Sequence, residues 1–398
     1  MGDIKRNKIL SITYCTLRTI ALLCVTGPIM QTFLASLGFP SQWIYINNAL
    51  MQAANILTLS LFSQWTDKRS IIKCSVISQI PHAVLYLLFI PLCIWQSASL
   101  SAFVMLTLIT LLQMICISLY TVCEYKLPYY LYTSEDYGKL ISVIGIISSV
   151  ISLGTGVVIS WLTTFLSYAN MMLIVCSISA VLIFLSIIAH ILCKPILPET
   201  PQEQTKQKSM NVFQLFRQPI FYKMIPANTL RGFAYGIVAV TATIALDLGY
   251  DATVSTALLS VQSFAMLLSY VVFAFGVTRF APRLLVAAGC APFLLIPLLL
   301  IKSPLLFLAV FAIIMLGRNI VDNAVPSMLR YAVPVEIAGP YNAWRMMLHY
   351  AGTLAASLVA TLVSPQVLLL LAMLTQIFTG LSYFTTKEVG GRPLFQKK

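Results

Sequence analysis

Twelve apolar stretches, most near the roughly 20 residues that a helical bilayer crossing needs, follow one another along this chain with short polar turns between them. They lie near residues 9–36, 41–64, 71–95, 99–125, 138–163, 167–193, 222–247, 252–276, 283–302, 303–328, 337–362 and 365–386. Hydrocarbon offers no water to a backbone N–H or C=O, so each stretch is read as a helix that satisfies its own backbone. The composition fits that solvent: 59% of residues are hydrophobic and 9% charged, whereas a soluble domain carries roughly 25% charged residues. The chain is predicted to be an all-α integral membrane protein with twelve transmembrane helices.

The basic residues set the orientation. Lys and Arg are retained on the cytoplasmic side of short loops. With the N-terminus inside, only Lys302 of the 25 basic residues falls in an outer loop, and only Arg18, Arg231, Arg318 and Arg345 fall within spans. Both termini are therefore expected to be cytoplasmic. The net charge of +13 follows from this topology and from anionic lipid at the inner surface, and no basic domain stands outside the bilayer to bind nucleic acid. Lys5, Arg6 and Lys8 precede an apolar run that is too long for a signal peptide, contains Arg18 and leads straight into another span, so it is read as a retained first helix. The nine cysteines show no Cys-x-x-Cys spacing, and His82, His190 and His349 are scattered over three spans. Neither a metal site, a disulfide frame nor a cofactor is expected.

The chain also repeats itself. Thr16-Leu17-Arg18 in the first span recurs as Thr229-Leu230-Arg231 in the seventh, and each is followed about one span later by Leu37-Gly38-Phe39 or Leu248-Gly249-Tyr250. Glu124 stands four residues before Pro128 at the inner end of span four, and Asp322 stands four before Pro326 at the inner end of span ten. Glu135 to Gly138 and Glu336 to Gly339 then open spans five and eleven. These landmarks divide the chain into a six-helix half at 1–193, a polar cytoplasmic linker at 194–221, a second six-helix half at 222–386 and a cytoplasmic tail at 387–398. Two parallel halves related by a pseudo-two-fold axis along the membrane normal form the architecture of a rocking transporter.

Between spans two and three, Ser63-Gln-Trp-Thr-Asp67-Lys68-Arg69-Ser70 resembles the major facilitator superfamily loop Gly-x-x-x-Asp-Arg/Lys-x-Gly-Arg-Arg/Lys. Asp67 and Lys68 match it, Ser63 and Ser70 replace its glycines, and Ile71 and Ile72 replace its final basic pair. With the twelve spans and the central linker, the resemblance covers nearly the whole chain. It implies alternating access around a cavity lined mainly by spans one, four, seven and ten, and it gives Asp67 and Lys68 a place in the cytoplasmic gate. Subfamily marks are fewer. The arginine-rich element of proton-driven drug antiporters is replaced in span four by Gln113 to Glu124, and Gly154-Thr-Gly156 stands where their Gly-Pro pair would be. Pro198-Glu199-Thr200-Pro201 resembles the sugar-porter element after span six but lacks its arginine.

The charges inside spans are the leading site candidates, because a charge at mid-membrane costs on the order of 3 kcal/mol even on lenient scales and needs a partner or a cavity. Arg18 enters about 13 Å along span one, and Glu124 lies a few residues inside the same end of span four. The resemblance places both helices on one cavity, so Arg18 with Glu124, and by duplication Arg231 with Asp322, are candidate ion pairs. Arg318 and Asp322 are i and i+4 on one face of span ten. Around them stand Tyr120, Tyr235, Asn319, Arg345 and His349. Two roles compete for the pairs. They are salt bridges that hold or gate the halves, or the arginines bind an anionic group while Glu124 or Asp322 carries a coupling proton.

The function expected is secondary active transport of a small polar or amphipathic organic solute by a monomer in the plasma (inner) membrane, with a proton as coupling ion. The alternatives are a drug or metabolite exporter, and outside transport a non-transporting receptor or a polytopic membrane enzyme. The acids and histidines show no cluster at one face of the kind an enzyme would gather.

Overall fold

The computed structural model describes residues 2–25, 27–62, 70–95, 97–132, 134–196, 214, 219–280, 282–329 and 338–385, and these are helical throughout apart from short turns. Nine of the described helices are long and apolar enough to cross a bilayer, and Met224–Ala239 with Thr241–Asp247 makes a tenth as a pair bent by 52°. Two further helices, Ser41–Phe62 and Ala338–Ala360, have span length. Their polar residues lower their hydropathy, and these are turned inward: Asn47, Asn55, Arg345 and His349 are all buried.

Helix ends follow local chemistry. Leu-Gly-aromatic closes a helix in the same way at both of its occurrences. Gly38 (φ 89°) and Gly249 (φ 84°) take the left-handed conformation that a side chain resists. Gly38 N–H donates to Ala35 O at 3.0 Å and Phe39 N–H to Leu34 O at 3.1 Å, while Gly249 N–H donates to Leu246 O at 2.9 Å and Tyr250 N–H to Ala245 O at 3.0 Å. Both are Schellman caps. The first span breaks at Gly27 (φ 66°), after which Pro28 begins the short helix Pro28–Ser36. Two irregularities were not anticipated from sequence. The seventh span bends after Ala239, and in the ninth Ala291–Leu300 is a 3-10 helix carrying Pro292 and Pro297, residues that cannot supply the N–H of a regular ladder. The fourth span also runs on to Leu131, past the expected end near 125.

Packing orders the bundle through small residues and buried amides. Spans seven and eleven meet backbone to backbone, since a Cβ on Gly232 would strike the His349 carbonyl and one on Gly352 the Thr229 carbonyl. Thr353 Oγ1 donates to Gly232 O at 3.0 Å across that seam, the close approach that small residues permit between helices in lipid. Ser41–Phe62 is tied to Leu100–Leu131 by two rungs at a constant offset, Thr110 Oγ1 to Asn47 Oδ1 at 2.8 Å and Ser118 Oγ to Asn55 Oδ1 at 2.6 Å. The constant offset means that these two helices run parallel. At the end of the bundle carrying the N-terminus, the near end, Asn7 is fully buried and clasps two chain segments. Its Nδ2 donates to Lys194 O at 2.7 Å, and its Oδ1 accepts from Lys194 N–H at 3.0 Å. Tyr132 OH donates to Asn7 O at 3.1 Å.

Candidate functional site

The charged residues inside the helices assemble into two clusters, each between helices that the sequence repeat makes equivalent. In the first, the Arg18 guanidinium lies 3.5 Å over the Tyr120 ring, and its Nη1 is 3.7 Å from Glu124 Oε2. Tyr120 and Glu124 are i and i+4 on Leu100–Leu131, so they present ring and carboxylate from one face. Arg18 is buried, whereas 48% of the Glu124 side chain is accessible, so the acid is exposed while its partner is not. Beneath them His190 is fully buried, 3.1 Å from Ser75 Oγ through Nε2 and against the Tyr14 ring at 4.5 Å.

In the second cluster, Arg231 Nη2 donates to Asp322 Oδ1, and Arg318 Nε stands 3.7 Å from Asp322 Oδ2. The Arg318 guanidinium lies 3.5 Å over the Tyr235 ring, whose edge packs against His349 with centroids 4.6 Å apart. Arg345 sits one helical turn before His349 on Ala338–Ala360 and directs Nη2 at Met346 Sδ, 3.9 Å away. Asn319 is buried beside Arg318, and among the described residues its Nδ2 meets no hydrogen-bond acceptor. The structure thus brings Arg18, Tyr120 and Glu124 together, and Arg231, Tyr235, Arg318, Asp322 and His349 together. Asp67 and Lys68 lie outside the described residues.

A guanidinium on a tyrosine face has a cation–π contact and a planar fork still able to grip a carboxylate or phosphate. A carboxylate among guanidiniums stays ionised until a competing anion draws them away. The arrangement can therefore hold an anionic group, neutralise itself, or exchange one state for the other.

A third group of contacts escaped the sequence reading. At the far end of the bundle, away from the N-terminus, Gln31 Nε2 donates to Ala239 O at 2.7 Å, and its Oε1 accepts from Thr243 N–H at 3.2 Å and Thr243 Oγ1 at 3.1 Å. Tyr45 OH donates to Asp247 Oδ2 at 2.9 Å, Ser41 Oγ donates to the other Asp247 oxygen, and Asn48 Nδ2 donates to Ser357 Oγ at 2.6 Å. Every one of these bonds joins a residue between 31 and 48 to one between 239 and 357. The one signal available in sequence was Gln31, an amide in an otherwise apolar segment.

The sequence matches the family model described as Major Facilitator Superfamily over residues 10–357. No curated protein matches it. Among solved structures, the fold is similar to the nucleoside transporter NupG at 15% identity, covering 97% of this chain and 99% of that one with a TM-score of 0.68, and to a mutant of that transporter at 13% identity and a TM-score of 0.70, covering 96% and 99%. It is similar as well to a bacterial homologue of the iron transporter ferroportin in an inward-facing state, at 13% identity, 96% and 98% coverage and a TM-score of 0.71.

Proposed function

The chain belongs to the Major Facilitator Superfamily, and from that premise we propose that it is a secondary active transporter that carries a small organic solute by alternating access, coupled to a proton. Family and fold point to a transporter rather than an enzyme. The reading takes the twelve spans as two six-helix halves, 1–193 and 222–386, joined by the cytoplasmic linker 194–221, in a monomer of the plasma membrane with both termini and the tail 387–398 inside. The observation that carries it is a pair of clusters in which a buried arginine meets a carboxylate, Arg18 with Glu124 and Arg231 with Asp322. Each lies between two helices that, by family resemblance, line the central cavity.

The clusters are the solute and proton site in this reading, and Asp67 with Lys68 forms the near-end gate. Hydrogen bonds of Gln31 and Asp247 close the far end, and Glu124 is accessible. Together these support an inward-open conformation. Protonation of Glu124 or Asp322 would release an arginine to the solute, so that binding and proton uptake are linked.

The test is transport by purified protein in proteoliposomes, with an imposed pH gradient and a panel that includes a nucleoside, a monocarboxylate, a phosphate ester, a lipophilic cation and ferrous iron. Uphill accumulation of any member that collapses when the pH gradient is dissipated supports the reading. Accumulation indifferent to the pH gradient removes proton coupling, and lack of exchange for every solute the protein binds would leave a receptor.

A further inference from the structure

The two clusters are built on the same plan, and the first acts as an internal control for the second. Counting from the repeated landmarks, Arg18 corresponds to Arg231 and Glu124 to Asp322, so Tyr120 corresponds to Arg318 and Leu22 to Tyr235. The first cluster balances its charge with one guanidinium, one carboxylate and one ring beneath the guanidinium, and among the described residues its Arg18 Nε and Tyr120 OH are buried without a hydrogen-bond partner. In the second, the position of the ring carries another guanidinium, and a tyrosine has been supplied on the opposite helix to seat it. Neutralising and holding two helices together needs only the first arrangement.

Among the described residues, the second cluster therefore holds a cation beyond what its carboxylate balances. Asp322 already takes the direct hydrogen bond from Arg231 and meets Arg318 only at 3.7 Å through Nε. The other contact of the Arg318 fork is Nη1 to Met315 Sδ at 3.6 Å, a weak acceptor. Among the described residues, the buried side-chain atoms without a hydrogen-bond partner on these two helices are Arg231 Nε, Arg318 Nε and Asn319 Nδ2, all donors, on residues more than nine-tenths buried. Buried polar atoms in a working protein are satisfied in some state of it. Surplus donors and surplus positive charge call for the same missing partner, a group that only accepts and is negatively charged.

We propose that the solute is an organic anion whose carboxylate or phosphate is gripped by Arg318 on the tenth span, next to Asn319, with Tyr235 as its seat, while Arg18 and Glu124 form a self-neutralised pair that does not bind that group. The inference rests on the transporter reading above and narrows its substrate class.

The experiment compares wild type with Arg318→Gln, Arg231→Gln and Arg318→Lys as full-length protein in detergent, following the unfolding midpoint first without ligand. Arg318→Gln leaves the Arg231–Asp322 pair intact and is expected to raise the ligand-free midpoint, whereas Arg231→Gln lowers it. A midpoint for Arg318→Gln at or below wild type makes Arg318 a structural partner of Asp322 and overturns the proposal. The second arm adds benzoate and phenyl phosphate, with benzamide and sodium chloride of matched ionic strength as controls. At least one anion is expected to raise the wild-type midpoint, an effect kept in part by Arg318→Lys and lost in Arg318→Gln. Lack of an effect of either anion on wild type, or an equal effect in Arg318→Gln, overturns it too. Exchange in proteoliposomes separates the two readings. A stabilising anion that is not carried sinks transport and leaves the site, while a neutral solute carried with no anion effect keeps transport and sinks the anion assignment.

Discussion

Replacing Asp322 by Asn and Glu124 by Gln removes the same charge from two equivalent positions, and the structure assigns the two changes very different costs. At 3.7 Å the attraction of unit charges is about 4 kcal/mol with an effective dielectric of about 20 and about 1 kcal/mol in water. Asp322 sits between two guanidiniums that are each only about a tenth accessible, so its loss strands two buried cations. Breaking a buried pair in this way costs about 3–5 kcal/mol. Glu124 is 48% accessible and beyond hydrogen-bond distance from Arg18, which places its contribution at about 0–1 kcal/mol. The assay is unfolding of purified protein in mixed micelles of rising SDS content, read with a maleimide dye that reaches the buried thiols Cys74, Cys93 and Cys176 only when the bundle opens. Asp322→Asn is expected to lose at least about 2 kcal/mol more than Glu124→Gln, and adding Arg318→Gln to Asp322→Asn should recover part of the loss. Equal losses, or a double variant worse than Asp322→Asn alone, would refute the view that the second cluster carries surplus buried charge.

Further outcomes follow from the same contacts. Glu124→Gln is expected to abolish uphill accumulation in proteoliposomes while sparing counterflow exchange; unchanged accumulation takes the coupling proton away from this residue. Gly232→Val drives a side chain into the His349 carbonyl and should cost about 3 kcal/mol or more as overpacking, visible as loss of the monodisperse peak in size-exclusion chromatography. Gly249→Ala meets open space and only the strain of its positive φ, so a loss of about 1–2 kcal/mol with a normal peak is expected. Gln31→Ala combined with Asp247→Ala removes the far-end bonds. It should speed alkylation of a cysteine placed at buried Ala242 by a membrane-impermeant maleimide, and an unchanged rate would show that packing alone closes that end.

The candidate site was legible as a set of residue types more than as an arrangement. Arg18, Glu124, Arg231 and Asp322 announce themselves because a charge inside an apolar run is costly wherever it points, and the repeat pairs them without any knowledge of packing. Arg318 could be placed on the Asp322 face by i,i+4 spacing, yet its seat on Tyr235 depends on how spans seven and ten are rotated toward each other. Ser41, Tyr45 and Asp247 give no signal in sequence for a related reason: each looks ordinary in its own helix and matters only through a partner about 200 residues away. The bend after Ala239 in span seven likewise coincides with no Gly or Pro between Val238 and Thr241.

Local chemistry along the chain was enough for the helical class, the run of apolar spans and the presence of charge inside the membrane, because each is decided by the solvent and by backbone hydrogen bonds within a few residues. It took the packed bundle to set one guanidinium against one carboxylate in the first cluster and two against one in the second, and to tie the far end together. Those outcomes turn on helix rotation and separation, set by small residues such as Gly232 and Gly352 meeting across the bundle, which hydropathy along one helix does not encode.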